Sequence, residues 1–138
     1  MFSLTEQQQQ TLETIAHIYA IDLLVLFGSR AIGRHHPRSD FDIAYRSYPQ
    51  LSLEQEARLI IDLSSVFKSG RIDLVNIITA PPLLRYVIFK DGVLLYEKHA
   101  AAFASHAAYS FKSYIEAKPL FDYQLHYLKK NNQESYGV

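Results

Sequence analysis

The sequence predicts a single domain of the α/β (α+β) class, because short apolar strands alternate with amphipathic helices along it. An unbroken apolar run over residues 23–27 is typical of a buried strand. Apolar residues recur with helical spacing over residues 53–67, and most of the stretch from about residue 101 to 130 also favours a helix. At 138 residues, 49% of them hydrophobic, the chain is long enough to bury one core.

A helix and a strand are predicted at the start of the chain. Ser3 and Glu6 have the spacing of a capping box, and we expect the helix that they begin to reach about Tyr19. The apolar positions on one face of this helix are Leu12, Ile15, Ala16 and Tyr19. The apolar run at 23–27 is then the first strand, and residues 28–39 form a turn followed by a loop.

A second strand and a second helix follow the loop. The strand is predicted at about residues 40–46, and Pro49 ends it. The helical pattern over residues 53–67 ends at Ser69-Gly70. The positions expected on its buried face are Ala57, Ile60, Ile61, Ser64 and Phe67.

The second half of the chain is predicted to hold two more strands and two helices. Residues 71–78 are a third strand, and a short helix over 83–89 follows a Pro-Pro pair. A short strand at 93–96 comes after a Lys-Asp-Gly turn. The helix from about residue 101 to 130 contains Pro119, which we expect to kink or split it.

The composition excludes several classes of protein. Lys+Arg and Asp+Glu balance at 14 each, which argues against stable binding of long nucleic acids. There is no cysteine, so disulfides and thiol chemistry are excluded, and a reducing compartment is favoured. The first residues lack the pattern of a signal peptide, and no apolar stretch is long enough to cross a membrane. We therefore expect a cytoplasmic protein without a membrane partner.

The first motif is Gly28-Ser29, followed after ten residues by Asp40-Phe41-Asp42. A strand that ends in a Gly-Ser turn presents backbone N–H groups to an anion. Two Asp residues at i and i+2 of a strand project from one face, where their carboxylates repel each other unless a cation lies between them. Mg²⁺ prefers carboxylate and phosphate oxygens. The spacing therefore indicates a phosphate cradle beside a metal site, as in a nucleotide enzyme.

A third carboxylate, Asp73, lies in the otherwise apolar third strand. A carboxylate in a buried strand is costly unless it is paired or bound to a metal. If the second and third strands are neighbours, Asp73 faces Asp40 and Asp42. Three such carboxylates fit a two-metal site for nucleotidyl transfer, in which Asp40 and Asp42 hold the metals that bind the triphosphate. Asp73 then helps to hold the second metal and to deprotonate the attacking hydroxyl.

Candidate phosphate ligands flank these carboxylates. The Ser29 hydroxyl and the backbone of Gly28 and Ser29 are predicted to bind the outer phosphates, because glycine allows close approach. Arg30 and Arg38 are candidates for neutralising phosphate charge, although exposed arginines that only aid solubility fit nearly as well. The adjacent His35 and His36 diverge and lack zinc-ligand spacing, so we expect them in a solvated loop.

Residues 24–44, LVLFGSRAIGRHHPRSDFDIA, resemble the signature of the minimal nucleotidyltransferases (MNT) of the DNA polymerase beta-like superfamily. The resemblance covers about residues 10–98, and Ile32 stands where the family often has a second arginine. Asp73 matches the third carboxylate of the family, and residues 89–97 resemble the usual end of its core. The matching motif residues are Gly28, Ser29, Arg30, Gly33, Ser39, Asp40 and Asp42.

The resemblance implies a fold and an activity. The fold is a small mixed sheet flanked by helices, with a nucleotidyltransferase core at residues 1–98 and a C-terminal helical extension at 99–138. The activity is Mg²⁺-dependent transfer of AMP from ATP to a hydroxyl. Short members resemble the antitoxin half of HEPN–MNT toxin–antitoxin pairs, in which the antitoxin adenylylates a tyrosine of the HEPN ribonuclease toxin. The alternatives are a module that only binds the toxin, and an enzyme acting on a small molecule or an RNA end.

The C-terminal region has more aromatic and aliphatic residues than one narrow helical stripe can use. We expect one face to pack on the core and the remainder to contact a partner, with simple core packing as the alternative. These residues are Tyr109, Phe111, Tyr114, Ile115, Leu120, Phe121, Tyr123, Leu125, Tyr127 and Leu128.

Overall fold

The computed structural model describes residues 2–135 and has the predicted alternation of strands and helices. Every predicted element is present, with bounds that differ by a few residues. In chain order they are α1 (Glu6–Ile18), β1 (Ile21–Phe27), β2 (Phe41–Ser47), α2 (Leu53–Phe67), β3 (Ile72–Asn76), α3 (Pro82–Asp91), β4 (Val93–Glu97) and α4 (Ala102–Ser135).

The four strands form one mixed sheet in the order β3-β2-β1-β4. β1 is antiparallel to both β2 and β4, whereas β3 is parallel to β2. A parallel pair needs a crossover connection, and α2 provides it. The strands that carry the predicted carboxylates are therefore neighbours, as the sequence argument required.

Each face of the sheet packs against two helices, because alternate side chains of the strands point to opposite faces. On one face, Leu24 and Leu26 of β1 pack with Leu12 of α1 and Leu59 of α2. On the other face, buried residues of the strands, of the turn after β3 and of α3 form a second cluster, with α4 residues packed against it. These buried residues are Leu23, Val25, Phe27, Ala44, Ile77, Ile88 and Phe89. The carboxylate of Asp42 belongs to this second face, since Asp42 and Ala44 are two residues apart on β2.

Two local predictions about the helices were wrong. The N-cap of α1 is Thr5, which forms a capping box with Gln8, instead of the predicted pair Ser3 and Glu6. The buried residues of α2 are Leu59, Leu63 and Val66, and Ile61 is 66% exposed. Apolar residues occur on more than one side of α2, and contact with α1 and the sheet selects the side that is buried. The predicted face of α1 is confirmed for Leu12, Ile15 and Ala16.

Pro119 does not split the C-terminal helix, which is continuous from Ala102 to Ser135. A proline inside a helix removes one backbone hydrogen bond and crowds the carbonyl four residues earlier. The carbonyl that Pro119 leaves without a donor is that of Ile115, an exposed residue, so water can satisfy it. Although α4 is long, no helix within residues 2–135 is apolar enough to cross a membrane.

Candidate active site

The end of β1 determines the shape of the site. Gly28 follows β1 with a φ of +75°, a conformation that side chains other than glycine rarely adopt. A Cβ atom at this position would lie 2.1 Å from Oδ2 of Asp42. The turn must therefore be glycine if the Asp42 carboxylate is to occupy the end of the sheet.

The three predicted carboxylates lie at this same end of the sheet. Asp42 and Asp73 are directly paired between the parallel strands β2 and β3. Asp40 precedes β2 by one residue instead of lying within it. Asp42 is half-buried, whereas Asp40 and Asp73 are exposed. The expectation that Asp73 is buried was wrong, because β3 is an edge strand.

The electrostatics of Asp42 show that the acids influence one another. Burial raises the pKa of the Asp42 carboxyl, and the neighbouring carboxylates of Asp73 and Asp40, with a hydrogen bond to Asp73, raise it further. No cationic side chain is among the causes of the shift. An uncompensated group of hard oxygen donors is the chemistry that a divalent cation requires, so these residues fit Mg²⁺.

The acids do not form a preassembled single-ion centre. In the part of the chain from residue 2 to 131, no three His, Cys, Asp or Glu side chains have the geometry to hold one metal ion. The arrangement is a coupled pair on neighbouring strands, Asp42 and Asp73, with Asp40 nearby.

The Gly-Ser turn has unused backbone donors. The carbonyl of Gly28 accepts a hydrogen bond from the Ala31 N–H at 3.1 Å, and that of Ser29 accepts one from Arg34 at 3.0 Å. The N–H groups of Gly28 and Ser29, by contrast, donate to no backbone acceptor among the residues described. Consecutive free N–H groups of this kind bind anions.

Arg30 holds the loop that connects the turn to Asp40. Its Nε donates to the carbonyl of Ser39 at 3.1 Å, and its guanidinium lies 4.0 Å from the centroid of the Phe41 ring. The structure thus gives Arg30 a positioning contact that the sequence did not predict. A guanidinium has five N–H donors, so these contacts leave donors for a phosphate.

The remaining predicted residues of the loop are exposed or hold its backbone. The Ser39 hydroxyl accepts from the His36 N–H at 3.0 Å, and Arg38 is exposed. Sequence reasoning missed Arg71, whose Nη1 donates to the Arg38 carbonyl at 3.2 Å. Its position two residues before Asp73 is the signal that could have identified it. His35 is exposed, as expected of a solvated loop.

Comparison with known proteins agrees with this geometry. Residues 9–101 match the family described as Polymerase beta, Nucleotidyltransferase. The chain is also 32% identical over 107 residues to "Protein adenylyltransferase MntA" of Aphanizomenon flos-aquae (strain 2012/KM1/D3), a match that covers 70% of each protein. This chain belongs to the polymerase beta nucleotidyltransferase family. The family match includes all the motif residues of this nucleotidyltransferase, from Gly28 to Asp73.

Solved structures confirm the fold of this nucleotidyltransferase. A chain of a toxin–antitoxin crystallised with AMP-PNP superposes with a TM-score of 0.68 at 23% identity, covering 85% of this chain and 98% of that one. A chain from a complex of a tri-AMPylated Shewanella oneidensis HEPN toxin with its MNT antitoxin gives a TM-score of 0.63 at 20% identity, covering 87% and 98%. At these identities the likeness establishes the fold alone.

Proposed function

We propose that this nucleotidyltransferase is the antitoxin of a HEPN–MNT pair and transfers AMP from ATP to a tyrosine of its HEPN toxin. The observation that carries the proposal is the 32% identity to a protein adenylyltransferase, in a chain that keeps all three carboxylates at one end of its sheet. A protein that only bound the toxin would have no need for an acid whose pKa is raised by burial and by two neighbouring acids.

The nucleotide is proposed to bind at the turn after β1. The free N–H groups of Gly28 and Ser29 would donate to the outer phosphates of ATP, and the Ser29 hydroxyl would add a third donor. Arg30, held by Ser39, and the exposed Arg38 would offset part of the phosphate charge.

Asp40, Asp42 and Asp73 are the proposed ligands of two Mg²⁺ ions. Bound Mg²⁺ would neutralise charge on the phosphate oxygens of ATP. It would also neutralise charge on the attacking hydroxyl oxygen and on the oxygen of the leaving pyrophosphate. The support is the cluster of oxygen donors around Asp42, which forms no ion pair among residues 2–131.

In the proposed reaction, the tyrosine oxygen of the toxin forms a bond to the α-phosphorus of ATP. The bond between that phosphorus and the bridging oxygen of pyrophosphate breaks, and pyrophosphate leaves. The exposed carboxylate of Asp73 accepts the phenolic proton and passes it to water.

The C-terminal extension, residues 99–138, is proposed to contact the toxin. The first half of α4 packs on the core through Phe103, Ala107 and Phe111. Beyond Lys118, most side chains up to residue 130 are exposed, including large apolar ones; these are Leu120, Tyr123, Leu125, Tyr127 and Leu128. Apolar side chains on an arm that leaves the core are typical of a surface that a partner covers.

The direct test is to incubate the protein with its toxin and Mg-ATP and to weigh the toxin by mass spectrometry. We expect the toxin to gain the mass of one or more AMP units. Asp42→Asn should abolish the gain, because the central acid loses its negative charge and one of its two oxygens. Asp91→Asn, on the exposed end of α3, should retain the gain.

Two results would contradict the proposal. A toxin that is silenced without gaining mass would identify a module that acts by contact. Transfer of label from ATP to an RNA end or a small molecule in the absence of toxin would identify a different acceptor.

A further inference from the structure

A cavity that none of the motif residues lines lies between the sheet, α3 and α4. Its volume is about 420 Å³. Pockets that bind small molecules measure roughly 300–1,000 Å³, so the volume is sufficient for a ligand of nucleotide size. Most of the lining is apolar, and a few polar side chains converge on it.

The cavity is separate from the proposed transfer site although both lie on the same face of the sheet. Arg46, in the cavity wall, is four residues beyond Asp42 on β2, and both side chains therefore point to that face. At about 3.3 Å per residue, the two positions are roughly 13 Å apart. The buried Ala44 lies between them.

The charge in the cavity is not balanced. Arg46 forms an ion pair with Asp22. Arg85, on α3, forms no ion pair within residues 2–131, and its Nε is buried without a hydrogen-bond partner there. A half-buried guanidinium without an anion is costly, and its planar donors match a phosphate.

The other polar groups of the cavity belong to α4. Ser110, only 2% exposed, and Ser105 bring hydroxyl groups to the wall. Burial lowers the pKa of the His106 imidazole and Arg46 lowers it further, whereas Asp22 opposes the shift. Tyr109 and Ile78 provide an aromatic and an apolar surface beside these groups.

We propose that this cavity binds a small molecule with a phosphate group on a planar body, of the nucleoside monophosphate class. Arg85 and the serine hydroxyls contact the phosphate, and the planar body lies against Tyr109 and Ile78. This binding site is distinct from the proposed transfer site. Binding of the ligand here requires neither the three carboxylates nor a metal.

AMP, added to the isolated full-length protein in EDTA, is the probe. In ¹H–¹⁵N NMR spectra, the chemical shifts of the Ile78 and Ser110 amides should change with AMP concentration and then reach a plateau. Those of Gly28 and Ser29 should not change. Adenosine should bind at least tenfold more weakly than AMP, because it lacks the phosphate that Arg85 contacts.

Substitutions identify the residue responsible. Arg85→Leu should weaken AMP binding at least tenfold, and Arg85→Lys should weaken it less, because a charge remains but the planar fork is lost. Arg58→Leu removes an exposed arginine paired with Glu54 on α2 and should leave AMP binding unchanged. The dispersion of each spectrum reports whether the variant is folded.

Three results would overturn the inference: equal affinity for adenosine and AMP, unchanged binding by a folded Arg85→Leu or Arg85→Lys variant, or shifts confined to Gly28 and Ser29. The inference is also wrong if the toxin shifts the amide signals of Ile78 and Ser110 but AMP does not. In that case the cavity receives an acidic side chain of the partner. Since EDTA prevents transfer and no toxin is needed for the AMP titration, a failure of the proposed function would leave the inference standing.

Discussion

At the scale of single residues, Gly28 and Asp42 depend on each other. The positive φ of Gly28 ends β1, and its missing side chain leaves the space that the Asp42 carboxylate occupies. The spacing of the motif predicted both residues as parts of a site. The sequence suggested that glycine serves the approach of a phosphate, whereas the structure adds that it first accommodates a carboxylate.

Gly28→Ala should therefore damage the site and the fold together. The positive φ alone costs an alanine roughly 1–2 kcal/mol, and the overlap with Asp42 adds to this. We expect loss of transfer activity and a lower free energy of unfolding, measured by AMP incorporation and by urea denaturation.

Gly70→Ala is the matched control for this substitution. Gly70 has open space around it and no positive φ, so both measurements should stay near the values of the natural protein. Equal effects of the two substitutions would show that the space beside Asp42 is not the cause.

At the scale of elements, the loop between β1 and β2 decides where Asp40 lies. Arg30 reaches across this loop to the Ser39 carbonyl and to the Phe41 ring. The sequence predicted the loop from its glycine and proline, and Arg30 as a phosphate ligand. It could not predict the contact with Ser39, because that contact depends on how the loop folds back.

Arg30→Met should loosen this loop. Loss of the hydrogen bond and of the cation–π contact should reduce the free energy of unfolding by about 1–3 kcal/mol. The KM for ATP should rise because the turn and Asp40 are less well positioned. Urea denaturation and initial rates at varied ATP measure the two effects.

Arg34→Met is the control in the same loop, because the Arg34 side chain is exposed. It should change neither quantity. If it raised the KM for ATP as much as Arg30→Met, general loss of positive charge would explain the effect better than loop positioning.

At the scale of the whole molecule, α4 has a first half that packs on the core and a second half that is exposed. Its first half covers the sheet beside α3, where Tyr86 stacks on Tyr114 with ring centroids 4.2 Å apart. Its second half leaves the core, with Tyr123 68% exposed. The proposed transfer site, the cavity beside Arg85 and the exposed second half of α4 thus occupy different parts of one small fold.

Replacing Tyr123 and Tyr127 together by serine should weaken toxin binding at least tenfold without changing the thermal stability. These side chains lie one helical turn apart and contribute little to the core, since both are more than half exposed. Calorimetric titration with the toxin and circular dichroism measure the two quantities.

The matched control replaces Asp122 and His126 by serine, since these residues have the same spacing on another side of the arm. It should bind the toxin normally. If both double variants bound equally well, the arm would not be the contact surface.

The sequence by itself determined the alternation of elements, the family and the motif, because these depend on local patterning and on residue spacing. Only the tertiary structure decided that Asp42 pairs with Asp73, that Asp73 is exposed on an edge strand, and which face of α2 is buried. It also decided that Arg85 forms no ion pair among residues 2–131. These features depend on which strands pair and which surfaces pack, and contacts between distant parts of the chain leave no periodic signal in the sequence.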